Sequence, residues 1–166
     1  MSRSTTSNKA GASNESAASD AEQRDHAART VEQLQAMAEV GFDKPIGLRY
    51  LEATGGRVRV EWDVAPGQHQ PYGIVHGGVY CTVVETVCSV GGALWLGERG
   101  NVVGVNNNTN FLRAVRAGRL EAVAEPQHQG RLQQLWQVRI TDDDSRLIAE
   151  GQVRLQNVEN ADRLGG

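Results

Sequence analysis

The chain has 166 residues, a length that suits one domain, and a formal net charge of −3. That charge gives no general attraction to nucleic acid, and there is no basic stripe with interleaved aromatic residues, so we expect no nucleic-acid partner. We also expect no membrane span, because the most apolar run, Val79–Val90, carries Glu85 in its middle.

The N-terminal segment differs in composition from the rest of the chain. Residues 1–25 are rich in Ser, Ala, Asn and Thr and have almost no large apolar side chains. Such a segment cannot offset the entropy lost on ordering, so we predict a disordered tail. It also lacks the apolar core of a signal peptide, and we expect a cytoplasmic protein.

A short amphipathic helix and a linker are predicted over residues 26–45, with Val31 and Leu34 on the apolar face and Gly41 as the stop. The folded domain is predicted over 46–158, followed by a C-terminal tail over 159–166. It opens with two alternating segments, Ile46–Ala53 and Arg57–Val64, which predict a hairpin.

The central feature of the chain is a long apolar run that follows the turn at Pro71. Its valines recur at helical spacing from Val79 to Val90, although β-branched residues favour strands. About eighteen residues without a turn signal exceed an ordinary strand, so the run predicts a helix that ends near Gly97. Glu85 lies in its middle, and a carboxylate in so apolar a helix indicates function.

Four strands are predicted after this helix: Asn101–Phe111, Gly118–Gln127, Arg131–Thr141 and Leu147–Val158. Turn signals recur about every ten residues between them, which favours antiparallel neighbours. A helix that is apolar nearly all round must be covered on most sides, and one curled antiparallel sheet can cover it. The predicted fold class is therefore α+β.

The two cysteines, Cys81 and Cys88, lie on the predicted helix, two turns or about 10 Å apart, which is too far for a disulfide. We interpret them as buried apolar thiols. The four histidines are scattered and show no metal-ligand spacing, so we expect no metal.

The sequence resembles the hotdog-fold acyl-CoA thioesterases, and within them the branch of 4-hydroxybenzoyl-CoA and phenylacetate-pathway thioesterases. The resemblance runs from about Gly47 to Val158. Its most specific parts are the Tyr-Gly-Ile-Val-His-Gly-Gly stretch Tyr72–Gly78, Glu85, and Asn110–Arg113 followed by Gly118. It implies a hotdog fold, acyl-CoA as the substrate, no cofactor, and a homo-oligomer that is a dimer or a tetramer built as a dimer of dimers.

By the same resemblance, Glu85 matches the catalytic carboxylate, which acts as nucleophile or as general base for water. The backbone N–H of Gly77 matches the group that polarises the thioester carbonyl, and Gln70 matches a side chain beside it. Ser89 matches a hydroxyl one turn beyond the carboxylate. His76 supplies either a general base or, as we favour, an imidazole that fixes the turn.

Three further residues match the family's CoA contacts. Arg113 lies where the family contacts the CoA phosphates. Arg131, with Gly130, falls in a hairpin that the family also uses, but a small hydroxyl residue often stands at the arginine's position. An arginine there suits phosphate chemically.

The chemistry of thioester hydrolysis fits this arrangement. A carbonyl under attack gains negative charge on oxygen, and N–H groups at a helix start stabilise that charge. Eight helical residues, about 12 Å, separate Gly77 from Glu85, so one glutamate side chain cannot reach a carbonyl held at Gly77 of its own subunit. The spacing therefore predicts at least a dimer, with each site shared between subunits.

Other interpretations of the same residues remain open. Glu85 is alternatively a structural acid at a dimer interface, Gln70 a bridge across the turn, Ser89 a small packing residue, and the two arginines solvated charges. Two alternative functions are a hotdog dehydratase or hydratase, using His76 with Glu85, and a non-catalytic acyl-CoA sensor.

Overall fold

A computed structural model of the chain describes residues 30–158. The tails predicted over 1–25 and 159–166, and the first turn of the predicted N-terminal helix, lie outside the described residues. The described helices are α1, over 30–38, and α2, Gly77–Leu96. The strands are β1 Arg49–Ala53, β2 Val58–Asp63, β3 Asn101–Phe111, β4 Arg119–Gln129, β5 Gln133–Asp142 and β6 Leu147–Val158, with short 3-10 turns at Gly41–Asp43, Pro66–Gln68 and Gly97–Arg99.

The six strands form one antiparallel sheet in the order β1-β2-β4-β5-β6-β3. With the long helix α2 lying against it, this is the α+β hotdog arrangement expected from the sequence. One expectation was wrong: β3 is not a neighbour of β4 but pairs with β6 at the far edge. The reason is the crossover after β3, which returns the chain to β2 and lets β4 pair there.

Two strands begin later in the structure than the sequence predicted, because local turns compete with strand pairing at these points. The first strand begins at Arg49 rather than Ile46, because Ile46 N–H donates to Asp43 O over 3.0 Å and Gly47 has a φ of 73°. The fifth strand begins two residues after Arg131, because Gly130 N–H closes the hairpin on Gln133 O at 2.9 Å.

Helix α2 packs along one face of the sheet. The largest side chains buried around it come from both partners and include Trp62, Trp136, Leu155, Val83 and Val87. By length and composition alone, the stretch Gly77–Arg99 meets the requirements of a membrane-crossing helix, so the expectation that no run does so was wrong. A helix enclosed by its own protein must be apolar on most faces, which produces the same composition.

Two glycines let α2 approach the sheet closely. A Cβ on Gly91 would lie 2.6 Å from the Trp136 ring, and one on Gly92 would overlap Leu155. At the same contact, the buried Gln134 donates from Nε2 to Gly92 O over 3.2 Å and accepts from Trp136 Nε1 over 2.9 Å. The helix is thus joined to β5 through a satisfied buried amide.

The two edges of the sheet differ. At the β1 edge, the Gln35 side chain satisfies two backbone groups that a neighbouring strand would otherwise bind. Its Nε2 donates to Leu48 O, and its Oε1 accepts from Tyr50 N–H. At β3, eleven residues long, no residue is buried, and Val105 is 47% exposed. Within residues 30–158 no strand pairs with the outer side of β3, so an edge of this length offers a row of backbone groups for pairing.

Candidate active site

A cavity of about 450 Å³ lies at the N-terminal end of α2. We call it the helix-start cavity. Its lining brings together several residues predicted for the site, namely Gln70, His76, Gly77 and Arg113, with Ile74, Val75, Gly78, Tyr80, Phe111, Leu112 and Ala114. Glu85 and Ser89 of the same chain are not among its lining residues, and neither are Gly130 and Arg131.

His76 is the N-cap of α2. Its Nδ1 accepts from Gly78 N–H over 2.9 Å, so this imidazole nitrogen carries no proton in the capped state. By its position in the first turn, Gly77 has an N–H without an acceptor inside the helix, and that group lies at the positive end of the helix dipole. Within this geometry His76 shapes the turn and Gly77 offers the donor.

Gln70 is held in the turn through its backbone. Its N–H donates to Ile74 O, and its carbonyl accepts from Gly73 N–H, both over 2.9 Å. The backbone therefore closes the turn, which leaves the half-buried side chain to line the helix-start cavity beside Gly77. An amide so placed can donate to a carbonyl oxygen bound at the same point.

Phe111 is a lining residue to which the sequence analysis gave no role. A Cβ on Gly77 would lie 2.5 Å from its ring, and the ring also packs on Tyr80 with centroids 5.9 Å apart. Position 77 must therefore be glycine for packing as well as for ligand approach. Phe111 lies within the Asn110–Arg113 motif, which could have indicated its role in the site. Its contact with Gly77, however, depends on where β3 ends.

Glu85 lies in the middle of α2 and faces β3. Asn107 Nδ2 donates to Glu85 Oε2 over 3.1 Å, and a Cβ on Gly104 would overlap Oε1. The carboxylate is half-buried, and no basic side chain among residues 30–158 forms a hydrogen bond or ion pair with it. Neither strand residue was identified from the sequence, although three consecutive asparagines are unusual in a strand.

Three small side chains lie within about one turn of Glu85 along α2, namely Cys81, Cys88 and Ser89. Ser89, one turn on, is half-buried. Cys88 is fully buried, whereas Cys81 is only half-buried, so the prediction that both thiols are core was wrong for Cys81. Burial, followed by the charge of Glu85, raises the pKa of Cys88 far above its usual range, which keeps it a neutral thiol.

Arginines gather where the chain crosses from β3 to β4. Arg113 and Arg116 line a second, larger cavity of about 790 Å³ together with Arg119 and Arg146. Arg113 also borders the helix-start cavity, and its Nη1 donates to Leu147 O over 2.6 Å. Since Arg119 and Arg146 are paired with carboxylates, Arg113 and Arg116 are the arginines here that contact only carbonyl oxygens in the described part of the chain.

The hairpin between β4 and β5 carries the other predicted CoA contacts. Arg131 is exposed, and its carbonyl accepts from Asn157 Nδ2 over 3.1 Å. The same Asn157 nitrogen donates to Gly130 O over 2.9 Å. The hairpin is thus tied to β6, with the arginine side chain directed outside the protein core.

Over residues 30–158, no three His, Cys, Asp or Glu side chains come together in a group that could hold a metal ion. The polar groups at the site are instead backbone N–H, amide, imidazole and carboxylate groups. These suit acyl-transfer chemistry, in which an oxyanion is stabilised by N–H donors and a carboxylate acts as nucleophile or base.

Comparison with known proteins agrees with this chemistry. The thioesterase superfamily profile matches residues 72–149. A Mycobacterium tuberculosis protein named as an esterase is 50% identical over 123 residues, which are 72% of this chain and 88% of its own length. Its solved structure superposes with a TM-score of 0.71 over 73% of this chain and 98% of that chain.

Two further relatives carry more specific names. A 1,4-dihydroxy-2-naphthoyl-CoA hydrolase of Listeria monocytogenes is 33% identical over 109 residues, covering 66% of this chain and 89% of the hydrolase. A Staphylococcus aureus thioesterase, 25% identical, has been solved with alanine replacing a glutamine (TM-score 0.65, 68% of this chain and 94% of that chain). It has also been solved with alanine replacing a glutamate (TM-score 0.67, 70% and 98%).

Proposed function

The chain belongs to the thioesterase superfamily, and from that premise we propose that it hydrolyses acyl-CoA thioesters to the free acid and CoA. The observation that carries the proposal is the helix-start cavity, in which the Gln70 side chain and the first-turn N–H of Gly77 lie together. The name of the Listeria relative, a CoA thioester hydrolase, supports the same substrate class.

The donors of the helix-start cavity act on the thioester carbonyl. Its oxygen accepts from Gly77 N–H and from the Gln70 amide, and the helix dipole stabilises the negative charge that develops on it. Arg113, at the rim of the cavity, is positioned to contact CoA phosphate, with Arg131 and Gly130 as the second contact.

Glu85 supplies the carboxylate. As nucleophile, it attacks the carbonyl carbon to form a mixed anhydride while the C–S bond breaks, and water then hydrolyses the anhydride to the free acid and restores the carboxylate. As general base, it takes a proton from the water that attacks the carbonyl carbon, and that proton goes to the leaving CoA thiolate. The eight-residue separation from Gly77 places it about 12 Å along the helix axis, so the carboxylate comes from a second subunit. Ser89, one turn further on, faces the same way and holds the carboxylate or the water.

The S. aureus variants support this choice of residues. The glutamine and the glutamate replaced in that protein are fifteen positions apart. Gln70 and Glu85 have the same spacing in this chain. The equal spacing supports Gln70 and Glu85 as the two side chains that act together in this chain.

The edge strand β3 supports a dimer. No strand in the described part of the chain pairs with its outer side, so its eleven residues offer a row of backbone donors and acceptors next to Glu85. Two copies can pair there antiparallel into one continuous sheet. Such a two-fold pairing brings the Glu85 of each subunit towards the other. A tetramer then forms as a pair of these dimers.

The test is thiol release, followed with a chromogenic thiol reagent, from a panel of aryl- and fatty acyl-CoAs. We expect wild type to turn over at least one member and Glu85→Ala to lose roughly a thousandfold or more in kcat, because the carboxylate takes part in the chemical step. Glu98→Ala, which changes an exposed glutamate just beyond the same helix, is the matched control and should keep wild-type activity.

Three results would contradict the proposal. Wild type that binds CoA esters but releases no thiol from any of them would favour a sensor. A change in enoyl absorbance without thiol release, namely a loss on enoyl-CoAs or a gain on hydroxyacyl-CoAs, would favour a dehydratase or hydratase. Full activity of Glu85→Ala would remove the carboxylate from the mechanism.

A further inference from the structure

Asn107 lies on the inner face of β3, opposite the buried Val153 of β6, and its side chain reaches helix α2. The amide nitrogen donates to Glu85 Oε2 over 3.1 Å and to the Cys81 carbonyl over 3.0 Å. An amide nitrogen has two N–H groups, so these two bonds use both of them. One proton is thereby directed at the carboxylate.

The oxygen end of this amide is held by Thr109. Its hydroxyl donates to Asn107 Oδ1 over 2.7 Å, and the two residues share a face because they are two apart on a strand. The nitrogen end must be the one that meets Glu85, because the carboxylate and the Cys81 carbonyl only accept hydrogen bonds, whereas the Thr109 hydroxyl can donate to the oxygen end. The two side chains thus form a chain of hydrogen bonds that ends on the carboxylate.

The other oxygen of Glu85 is confined by the backbone of the same strand. Gly104 has no side chain, and a Cβ there would overlap Oε1. One carboxylate oxygen is therefore held by an N–H donor, and the other is limited by close packing against β3. A glutamate with free torsions would otherwise sample several rotamers, few of which direct the carboxylate the same way.

We propose that Asn107 is a positioning residue that orients the Glu85 carboxylate for its reaction. The inference rests on the proposed thioesterase function, in which Glu85 is the nucleophile or base. A hydrogen bond to a charged carboxylate is stronger than one between neutral groups, and small misplacements of a reacting group cost large factors in rate. Asn107 acts through Glu85 and does not itself touch the thioester.

A purely structural role makes a different prediction. The bond from Asn107 to the Cys81 carbonyl also ties β3 to α2, and a tie of this kind affects Tm or assembly rather than the chemical step. The two roles are therefore separated by measuring kcat and KM together with Tm and oligomeric state.

The variants remove the hydrogen bond to Glu85 in different ways. Asn107→Asp keeps the shape of the side chain but replaces the donor with a carboxylate oxygen, which also places a negative charge beside Glu85. Asn107→Ala removes the amide without adding a charge. Thr109→Val replaces the orienting hydroxyl with a methyl group of similar size. Asn106→Ala and Asn108→Ala are matched controls, because these asparagines lie on the opposite face of the same strand, in register with the exposed Arg154 and Gln152.

With the acyl-CoA that wild type turns over best, we expect both Asn107 variants to lose about tenfold to a hundredfold in kcat, with KM, Tm and oligomeric state close to wild type. Thr109→Val should lose less kcat than either Asn107 variant. The double variant Asn107→Ala/Thr109→Val should lose no more than Asn107→Ala alone, because the hydroxyl acts only through the amide. Both controls should keep wild-type kcat.

Wild-type kcat in both Asn107 variants, alongside an inactive Glu85→Ala, would overturn the positioning role and leave the thioesterase function standing. A fall in kcat that appears only with a matching loss of Tm or assembly would also overturn it, as would additive losses in the double variant. No turnover by wild type on any acyl-CoA would overturn the proposed function and this inference with it.

Discussion

Gly104 matters at the scale of single residues because it has no side chain. It lies in β3 where the register with β6 shifts, and the Glu85 carboxylate packs against its backbone. Its φ is not positive, so an alanine could adopt the same backbone conformation, and only the space for Glu85 would be lost. This position therefore couples strand packing to the proposed catalytic group with little contribution from backbone strain.

The prediction at this scale concerns Gly104→Ala. The added methyl group should displace the Glu85 side chain and lower kcat about tenfold or more, while a shift of one side chain leaves Tm within a few degrees. Steady-state kinetics on the acyl-CoA that wild type turns over best measures kcat, and thermal unfolding measures Tm. Gly56→Ala is the control, since a Cβ there meets nothing within 4 Å. Unchanged kcat in Gly104→Ala would mean that Glu85 functions in another position.

Among the elements, the turn between β5 and β6 is stabilised by one acidic side chain. Asp142 Oδ1 accepts from the backbone N–H of Asp144 and of Arg146, and Oδ2 accepts from Arg146 Nε over 2.8 Å. Ser145 within the turn has a φ of 60°, a conformation that L-residues rarely adopt. The carboxylate therefore supports a turn whose backbone is otherwise unfavourable.

This turn leads to a prediction on pH dependence. The hydrogen bond from the Arg146 side chain holds the pKa of Asp142 below its ordinary value of 3.8. A carboxyl whose pKa is lower in the folded state stabilises the protein above its unfolded pKa and loses that contribution as pH falls through the folded value. Asp142→Asn should therefore have a lower Tm than wild type at pH 7, and the gap should narrow below about pH 3.8.

Thermal unfolding of both proteins over pH 7 to about 2.5 measures the gap. Asp143→Asn is the control in the same turn, because the Asp143 carboxylate forms no hydrogen bond or ion pair with residues 30–158. A Tm difference for Asp142→Asn that stays constant with pH would show that the charge of Asp142 does not contribute.

For the whole molecule, the proposed site requires two subunits. Gln70 and Gly77 line the helix-start cavity of one chain, and Glu85 lies further along the helix outside that lining. A symmetric dimer can unite them, because a two-fold axis sets each residue of one copy against the other copy. Each dimer then holds two equivalent sites, and each site contains residues from both subunits.

Mixing two inactive variants tests this arrangement. When Gln70→Ala and Glu85→Ala chains are co-refolded in equal amounts, half of the dimers are mixed, and each mixed dimer has one site with both native residues. Activity should then return to about a quarter of wild type. Refolding each variant alone is the control. Absence of recovery, with mixed dimers demonstrated by a tag, would place both residues in the same subunit.

Much of the fold was predictable because its signals are local. The start of α2 follows from the His-Gly-Gly sequence after a turn, and its end from Gly97, where the φ of 58° departs from helical values. The bounds predicted for Asn101–Phe111 and Leu147–Val158 agree with β3 and β6. Both strands are bordered by turn residues, and a turn residue marks the end of a strand that lies within a few positions of it in the sequence.

The tertiary structure alone decided which strand lies beside Glu85. Sheet order depends on the crossover after β3, and no local pattern distinguishes pairing with β4 from pairing with β6. The contacts of Glu85 with Gly104 and Asn107, and of Gly77 with Phe111, therefore emerged only from the folded chain. The sequence by itself determined the central helix, its glycine start and its carboxylate, because these follow from periodicity within one element. It did not determine their neighbours, because those contacts join residues about twenty to thirty-five positions apart through the register of a sheet.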